Sequence, residues 1–464
     1  MKLPAAGWRR DLALAFLLAV VAAAFRLPRL GFPPEEVFDE VYHAKTAQQY
    51  LDGEAPTEWV HPPTAKLLIA VGVALFGYES WAWRLAPALA GIAVAPVFFL
   101  FARRVLPSER AALLATTLLL ADGVYLVQSR IAMTNIFAVL FQLGAALFIL
   151  RAAREEELPW ADMLAAGICL GLALSTRWTS LWATAFLGCT LLAHRRLRIF
   201  RVRELLLVAV AFAVLPAALY LLSYLPYMVQ QDKSLGFVIE WQRGIWRYHS
   251  QLNATHPYFS KWWTWPWLYR PTWYYFNAVD GWTRGIVAIG NPALWWASVP
   301  VSIWALARGF WRDPRLAIAG VATCAIGIAS FLGGGAGEAM GVLLVIGGLV
   351  LLAVARPELR DRAALLAGAG FFALYLPWGI SPRQLNFSHY LFEAIPYACL
   401  SLGLLLDRIW DGRLRPVAIA YVALVVLLFL LYFPLLTALP VPQDWFNQSL
   451  VGRVRLWVWF PTWI

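Results

Sequence analysis

The chain alternates between long apolar runs and short polar ones, and the apolar runs set the fold. Hydrophobic segments recur near 11–27, 85–102, 111–128, 132–150, 161–175, 179–193, 205–225, 286–307, 316–332, 340–355, 363–380, 389–406 and 416–439. Most are close to the roughly 17–25 residues with which an α-helix spans the hydrocarbon layer. In lipid the backbone must satisfy its own hydrogen bonds, which leaves helical bundles and closed barrels. Barrel strands would appear as short alternating segments, and these runs do not alternate. The pattern predicts an all-α polytopic bundle of about 13 transmembrane helices.

Composition agrees. Of 464 residues, 61% are hydrophobic and 14% charged, too few charges to cover a soluble protein of this size. The net charge of +11 lies mostly in arginines of short inter-span loops. With the N-terminus inside, Arg103, Arg104 and Arg110, Arg151 and Arg154, the run "HRRLRIFRVR", Arg312 and Arg315, Arg356, Arg360 and Arg362, and Arg408, Arg413 and Arg415 all share the inner side. That is the positive-inside rule. The charge marks membrane orientation, not a nucleic-acid partner. The expected place is the cytoplasmic membrane, multi-pass, with a cytoplasmic N-terminus, a retained first span and a tail from about 440 outside. Cys169, Cys189, Cys324 and Cys399 sit inside apolar runs without paired spacing, and are read as packing residues.

Two external segments break the pattern of short loops. The first, 28–84, holds "VFDEVYHAKTAQQYLDG" and "HPPTAK". Its apolar stretch "LLIAVGVALFG" is too short to span and is expected to lie at the interface as a short helix. The second, 226–285, holds "HPYFSKWWTWPWLYRPTWYYF". An aromatic belt needs no cations, whereas this stretch carries His256, Lys261 and Arg270, so a substrate-facing role is expected for it, with His256, Trp262 and Trp263 toward an acceptor.

Sorted by side, Asp39, Glu40, His61, Lys66, Arg130, Arg177, His249, His256, Arg383 and His389 all fall at external span ends or in external loops. Polar groups near membrane depth are costly and face a cavity or a partner. One external site is expected from them. A carboxylate there can act as general base toward a hydroxyl, and cations can hold a phosphate. Base plus phosphate clamp points to group transfer from a lipid-linked phosphate donor. "GGGAG" at Gly333–Gly337 lacks the Lys-Ser/Thr of a phosphate loop, which argues against a cytosolic nucleotide-sugar enzyme. No dedicated metal-ligand cluster is visible; the metal stays unknown, with a divalent cation, magnesium or manganese, left open.

The same stretches resemble the protein O-mannosyltransferase family in its bacterial form. The resemblance rests on "VFDEVYHAKTAQQYLDG" with "HPPTAKLLIA", "QSRIAM", "STRWTSLW", "LNATHPYFSKWWTWPWLYRPTWYY", "GNPALWW", "YLPW" with "HY", and the tail "RLWVWFPTWI". It implies a GT-C-type enzyme that moves mannose, with inversion, from polyprenyl-phosphate mannose to Ser or Thr of exported proteins. It places catalysis on Asp39 and Glu40 and an essential arginine on Arg130. Lys66, His61, Arg177, Arg383 and His389 complete the expected donor site. Asn135 stands where the family usually has Asp, and 316–355 reads as an extra helical hairpin. The residues alone leave two other classes open: a sister GT-C enzyme carrying another lipid-phosphate-linked sugar to a lipid or glycan, and a transporter, which the lack of a convincing internal repeat disfavours.

Overall fold

The computed structural model describes residues 5–195, 201–310, 361–452 and 454–464. The expected spans at 316–332 and 340–355, the extra hairpin they form, and Cys324 lie outside the described residues.

The chain is mostly helical and follows the apolar pattern closely. The first apolar run forms α1, Ala5–Arg26. The first polar segment folds into two short helices, α2, Glu40–Asp52, and α3, Thr64–Phe76. The long α4, Ser80–Val105, then returns through the bundle beside α1 and α3. Among the described residues, four helices are long and apolar enough to cross a membrane: Ser80–Val105, Asn135–Ala152, Val202–Gln230 and Arg415–Leu436. Helix Val202–Gln230 exposes Leu205, Leu206, Val214, Leu221, Leu222, Leu225 and Val229. Such a surface suits contact with lipid.

The expected span at 111–128 is broken. Helix α5 runs Glu109–Leu120, and after a bend α6 runs Gly123–Gln128. The break costs little because Asp122 satisfies it. Its carboxylate accepts from Tyr125 N at 2.9 Å, Asn291 N at 3.1 Å and Trp295 Nε1 at 2.7 Å. Irregular backbone at membrane depth is tolerated where protein supplies the partners. Helix α7, Asn135–Ala152, follows and packs on α4 and on helix Trp160–Leu174.

A second departure, from the all-α expectation, lies in the aromatic segment. Thr272–Val279 (β1) and Trp282–Ala288 (β2) form an antiparallel hairpin, so the expected span at 286–307 begins only at Pro292. The turn residues Asp280 and Gly281 both have positive φ, 52° and 74°, which matches the right-handed twist of two-residue hairpins. Val441–Pro442 adds a third strand beside β2. The C-terminal tail thus packs on the hairpin, with Trp273 Nε1 donating to the carbonyl of the buried Trp463 at 2.6 Å.

Candidate active site

Two adjacent acids begin α2, and the fold sends them in different directions. Phe38 takes φ 52°, a left-handed conformation rare for a bulky residue. Its ring stacks on Tyr274 of β1, 4.1 Å between centroids, at a β-bulge between Trp273 and Tyr275. Bulges re-aim side chains, and this one delivers Tyr274 to the acid loop.

Glu40 turns into the protein. Arg84 of α4 grips it in a fork, Nε to Oε1 at 2.8 Å and Nη2 to Oε2 at 2.6 Å. Its remaining lone pairs accept from Val37 N at 3.0 Å and Ala132 N at 2.8 Å. Glu40 is fully buried and saturated. The assisting role expected for it beside Asp39 has no free oxygen to act through, because four donors already occupy it.

Asp39 is the opposite case. It occupies the N-cap position of α2, where Asp ordinarily bonds the first-turn amides, yet it makes no side-chain cap bond. Burial pushes its carboxyl above the ordinary value; His43 opposes the rise, Glu58 adds to it, and Arg383 and Arg177 oppose it. Of the two acids, Asp39 is the one whose carboxylate is left free of the cap.

The expected residues gather around it in part. His389 is buried in the 3-10 turn Ser388–Glu393, edge-on to Phe38 and Tyr274, with Nδ1 unpartnered. His256 lies edge-on to Phe38 and senses Asp39. Arg383 donates to His249 Nδ1 at 2.8 Å, while His249 Nε2 donates to the Val60 carbonyl at 2.8 Å. Burial, then Arg383, pushes His249 down to about 4. Arg177 donates to Asn135 Oδ1 at 2.5 Å and lies 3.6 Å from Glu393, so Asn135 serves Arg177.

Lys66 is placed otherwise than expected. Its ammonium is fully buried and spends its donors on the Glu58 carboxylate, the Glu58 carbonyl (2.9 Å) and the His61 carbonyl (2.8 Å). It braces the loop ahead of α3. Burial alone would raise the Glu58 carboxyl, but Lys66 and His61 outweigh it and hold it well below the usual carboxylate range. His61 Nδ1 faces Glu58 Oε1 at 2.7 Å, and burial holds the ring down to about 3 despite that carboxylate. Trp262 and Trp263 belong to another layer: Trp262 packs on Tyr375, and exposed Trp263 lies under Lys261.

Among the described residues, the buried cations without a carboxylate partner are Arg130 and a residue the sequence reading passed over, Arg26. Arg130 donates only to the carbonyls of Phe25, Arg26 and Arg29. Burial, with Arg26, Arg84 and Arg29 nearby, lowers it to about 10. Arg26 is fully buried, bonds Ser129 Oγ at 2.9 Å and the Ala22 carbonyl, and keeps a buried Nη2 with no partner. Gly91 of α4 makes this possible, since a Cβ there would lie 2.3 Å from Ser129 Cβ and 2.9 Å from Arg26 Nε. Buried cations lacking anions mark a place for one. For a metal ion, one group among the described residues qualifies: His43, Glu58 and His61.

With the geometry in place, comparison with known proteins is specific. The family profile described as dolichyl-phosphate-mannose-protein mannosyltransferase matches residues 16–80 and 78–230. That for the C-terminal four-span region of protein O-mannosyltransferases matches 235–311. The polyprenol-phosphate-mannose–protein mannosyltransferase of Mycolicibacterium smegmatis is 28% identical, covering 99% of this chain and 93% of the relative. Its counterpart in Corynebacterium glutamicum is 26% identical over 87% of this chain and 81% of the relative. The Saccharomyces cerevisiae protein O-mannosyltransferase Pmt1–Pmt2 complex, bound to the sugar donor, superposes with a TM-score of 0.71 at 15% identity, covering 94% of this chain and 92% of that chain. At that identity the likeness carries the fold, a GT-C-type bundle. The two profiles follow one another along the chain and the relatives align nearly end to end, so this chain belongs to the protein O-mannosyltransferase family of membrane glycosyltransferases.

Proposed function

We propose that the protein transfers mannose from a polyprenyl-phosphate-mannose donor to Ser or Thr hydroxyls of exported proteins, with inversion, at the external face of the cytoplasmic membrane. The observation that carries the chemistry is Asp39: an N-cap acid that does not cap, held above its ordinary pKa beside a network of cations. In this reading Asp39 orients the acceptor hydroxyl and takes its proton. Glu40, through Arg84 and Ala132, positions it.

Arg26 and Arg130 receive the donor phosphate. As the glycosidic bond breaks, negative charge grows on the leaving phosphate, and fixed cations in a poorly hydrated site stabilise it without reorganising. Arg177, Arg383 and His389 surround the sugar side, and His256 on the aromatic segment faces the acceptor. The buried carboxylates of Glu40, Glu58 and Glu393 are all engaged by cations or hydrogen bonds, which supports direct displacement over a second carboxylate acting as nucleophile. The inner-side arginines support the external placement of the site, and so does the packing of the tail on the hairpin of the second polar segment.

The test is transfer from purified polyprenyl-phosphate mannose to a Ser/Thr-rich peptide by the reconstituted chain, with the product anomer read by NMR. An α-mannosyl peptide is expected. A β-mannoside, or transfer only to lipid acceptors, would overturn the reading.

A further inference from the structure

We infer that His43, Glu58 and His61 form a binding site for one divalent transition-metal ion of the zinc type, next to Asp39. One ligand atom from each lies within 4.8 Å of those of the other two. Ligands on a tetrahedral ion with bonds of about 2.05 Å sit about 3.4 Å apart, so small side-chain movements close the set.

The hydrogen bond of His43 fixes its tautomer. His43 Nδ1 lies 2.8 Å from the Ala132 carbonyl, which can only accept. The proton therefore sits on Nδ1 and the Nε2 lone pair is free. A ring held by a backbone carbonyl through its other nitrogen is the usual outer arrangement of a ligating histidine. His61 Nδ1 faces the Glu58 carboxylate at 2.7 Å, so an ion shared by the two would sit between that nitrogen and the carboxylate, in place of the proton that bridges them. Glu58 in turn is immobilised by Lys66 and by the His61 amide at 3.0 Å. His43 and Glu58 are thereby held in place, and His61 exchanges its bond to Glu58 for the ion.

His249 shows what a histidine outside the set looks like. Its ring lies 5.4 Å from that of His61, but Arg383 and the Val60 carbonyl occupy both its nitrogens.

The donor set selects the ion. Two imidazoles and one carboxylate suit zinc and its neighbours, whereas magnesium and calcium favour all-oxygen shells. Three protein ligands also leave a coordination position open, as catalytic rather than structural zinc sites do. The ion would tie α2, one turn beyond Asp39, to the loop ahead of α3. This binding site deepens the transferase reading but is tested apart from it.

The experiment uses the untagged full chain in nanodiscs, stripped with chelator and titrated with zinc, manganese and magnesium by calorimetry, with metal content measured after dialysis. One zinc per chain, at least tenfold weaker magnesium binding, and a zinc-dependent rise in melting temperature are expected. His43→Ala and His61→Ala should each weaken zinc at least tenfold, while His194→Ala, on a distant helix end, should not. If His61→Ala melts below the stripped wild type, His43→Ala carries the test. No saturable zinc binding, or binding that survives both substitutions, overturns the inference. Zinc binding without mannose transfer keeps the site and sinks the proposed function instead.

Discussion

Arg84 on α4 holds Glu40 at the start of α2 through two parallel hydrogen bonds, 2.8 and 2.6 Å, with both side chains fully buried. Two acids adjacent in sequence thereby acquire different work. Glu40 is locked to the bundle, and its neighbour Asp39 is left free.

Stability should separate the two. Breaking a buried ion pair by removing one partner typically costs about 3–5 kcal/mol. Glu40→Gln and Arg84→Met are expected to lower the melting temperature of the detergent-solubilised protein clearly, and Asp39→Asn to leave it unchanged. Equal melting temperatures for all three would remove the brace from the argument.

Turnover should separate them again. General-base catalysis is typically worth about 10²–10⁴ in rate. Asp39→Asn should lose at least that factor in kcat while retaining donor binding. Near-normal turnover by purified Asp39→Asn would take the base away from this residue.

Donor binding should depend on the unpaired cations. Arg130→Ala and Arg26→Met are expected to weaken polyprenyl-phosphate mannose and to cut turnover even at saturating acceptor peptide. Arg130→Lys should recover only part, because a point charge cannot reproduce a guanidinium fork. Measured donor affinities equal to wild type would leave Arg130 a merely structural anchor for the end of α1.

The pH profile should report Asp39. A base works only when ionised, so activity falls as pH drops through its pKa. Burial raises that pKa, which moves the acid limb of kcat/KM above the ordinary aspartate value of about 3.9. Arg383 opposes the rise, so Arg383→Gln should shift the limb to higher pH. A limb that stays fixed in Arg383→Gln would assign the titration to another group.

Lys66 should behave as a brace. Lys66→Met leaves the Glu58 carboxylate buried beside His61 alone and is expected to destabilise the loop. Glu58 has a depressed pKa in the folded chain, so its stabilising contribution is present above its unfolded pKa and lost as pH falls through the folded one. The melting temperature of wild type should therefore fall on acidification more than that of Lys66→Met.

Much of this protein is decided by local pattern. Apolar run length against bilayer thickness gives the spans, as at Ser80–Val105 and Arg415–Leu436. The short apolar stretch after "HPPTAK" becomes the 13-residue α3. The motifs around Asp39 carry the family. The hairpin was also written in the chain, as Asp280-Gly281 between alternating residues, but its tryptophans and tyrosines read equally as interfacial anchors. Periodicity does not separate a half-buried strand from an aromatic belt.

What the sequence could not reveal is which neighbour each polar group finds. Asp39 and Glu40 are equivalent on paper; their difference arises because α4 brings Arg84 to one of them, 44 positions away in the chain. Lys66 looked like a phosphate ligand until folding placed it with Glu58 in a buried pair. His43 and His61 converge only because α2 and the loop before α3 fold back on each other, and Arg26 meets Ser129 only where Gly91 leaves room. Hydrophobic segmentation is a local property, legible in one dimension. The partner of a buried charge is set by long-range packing, and only the tertiary structure decides it.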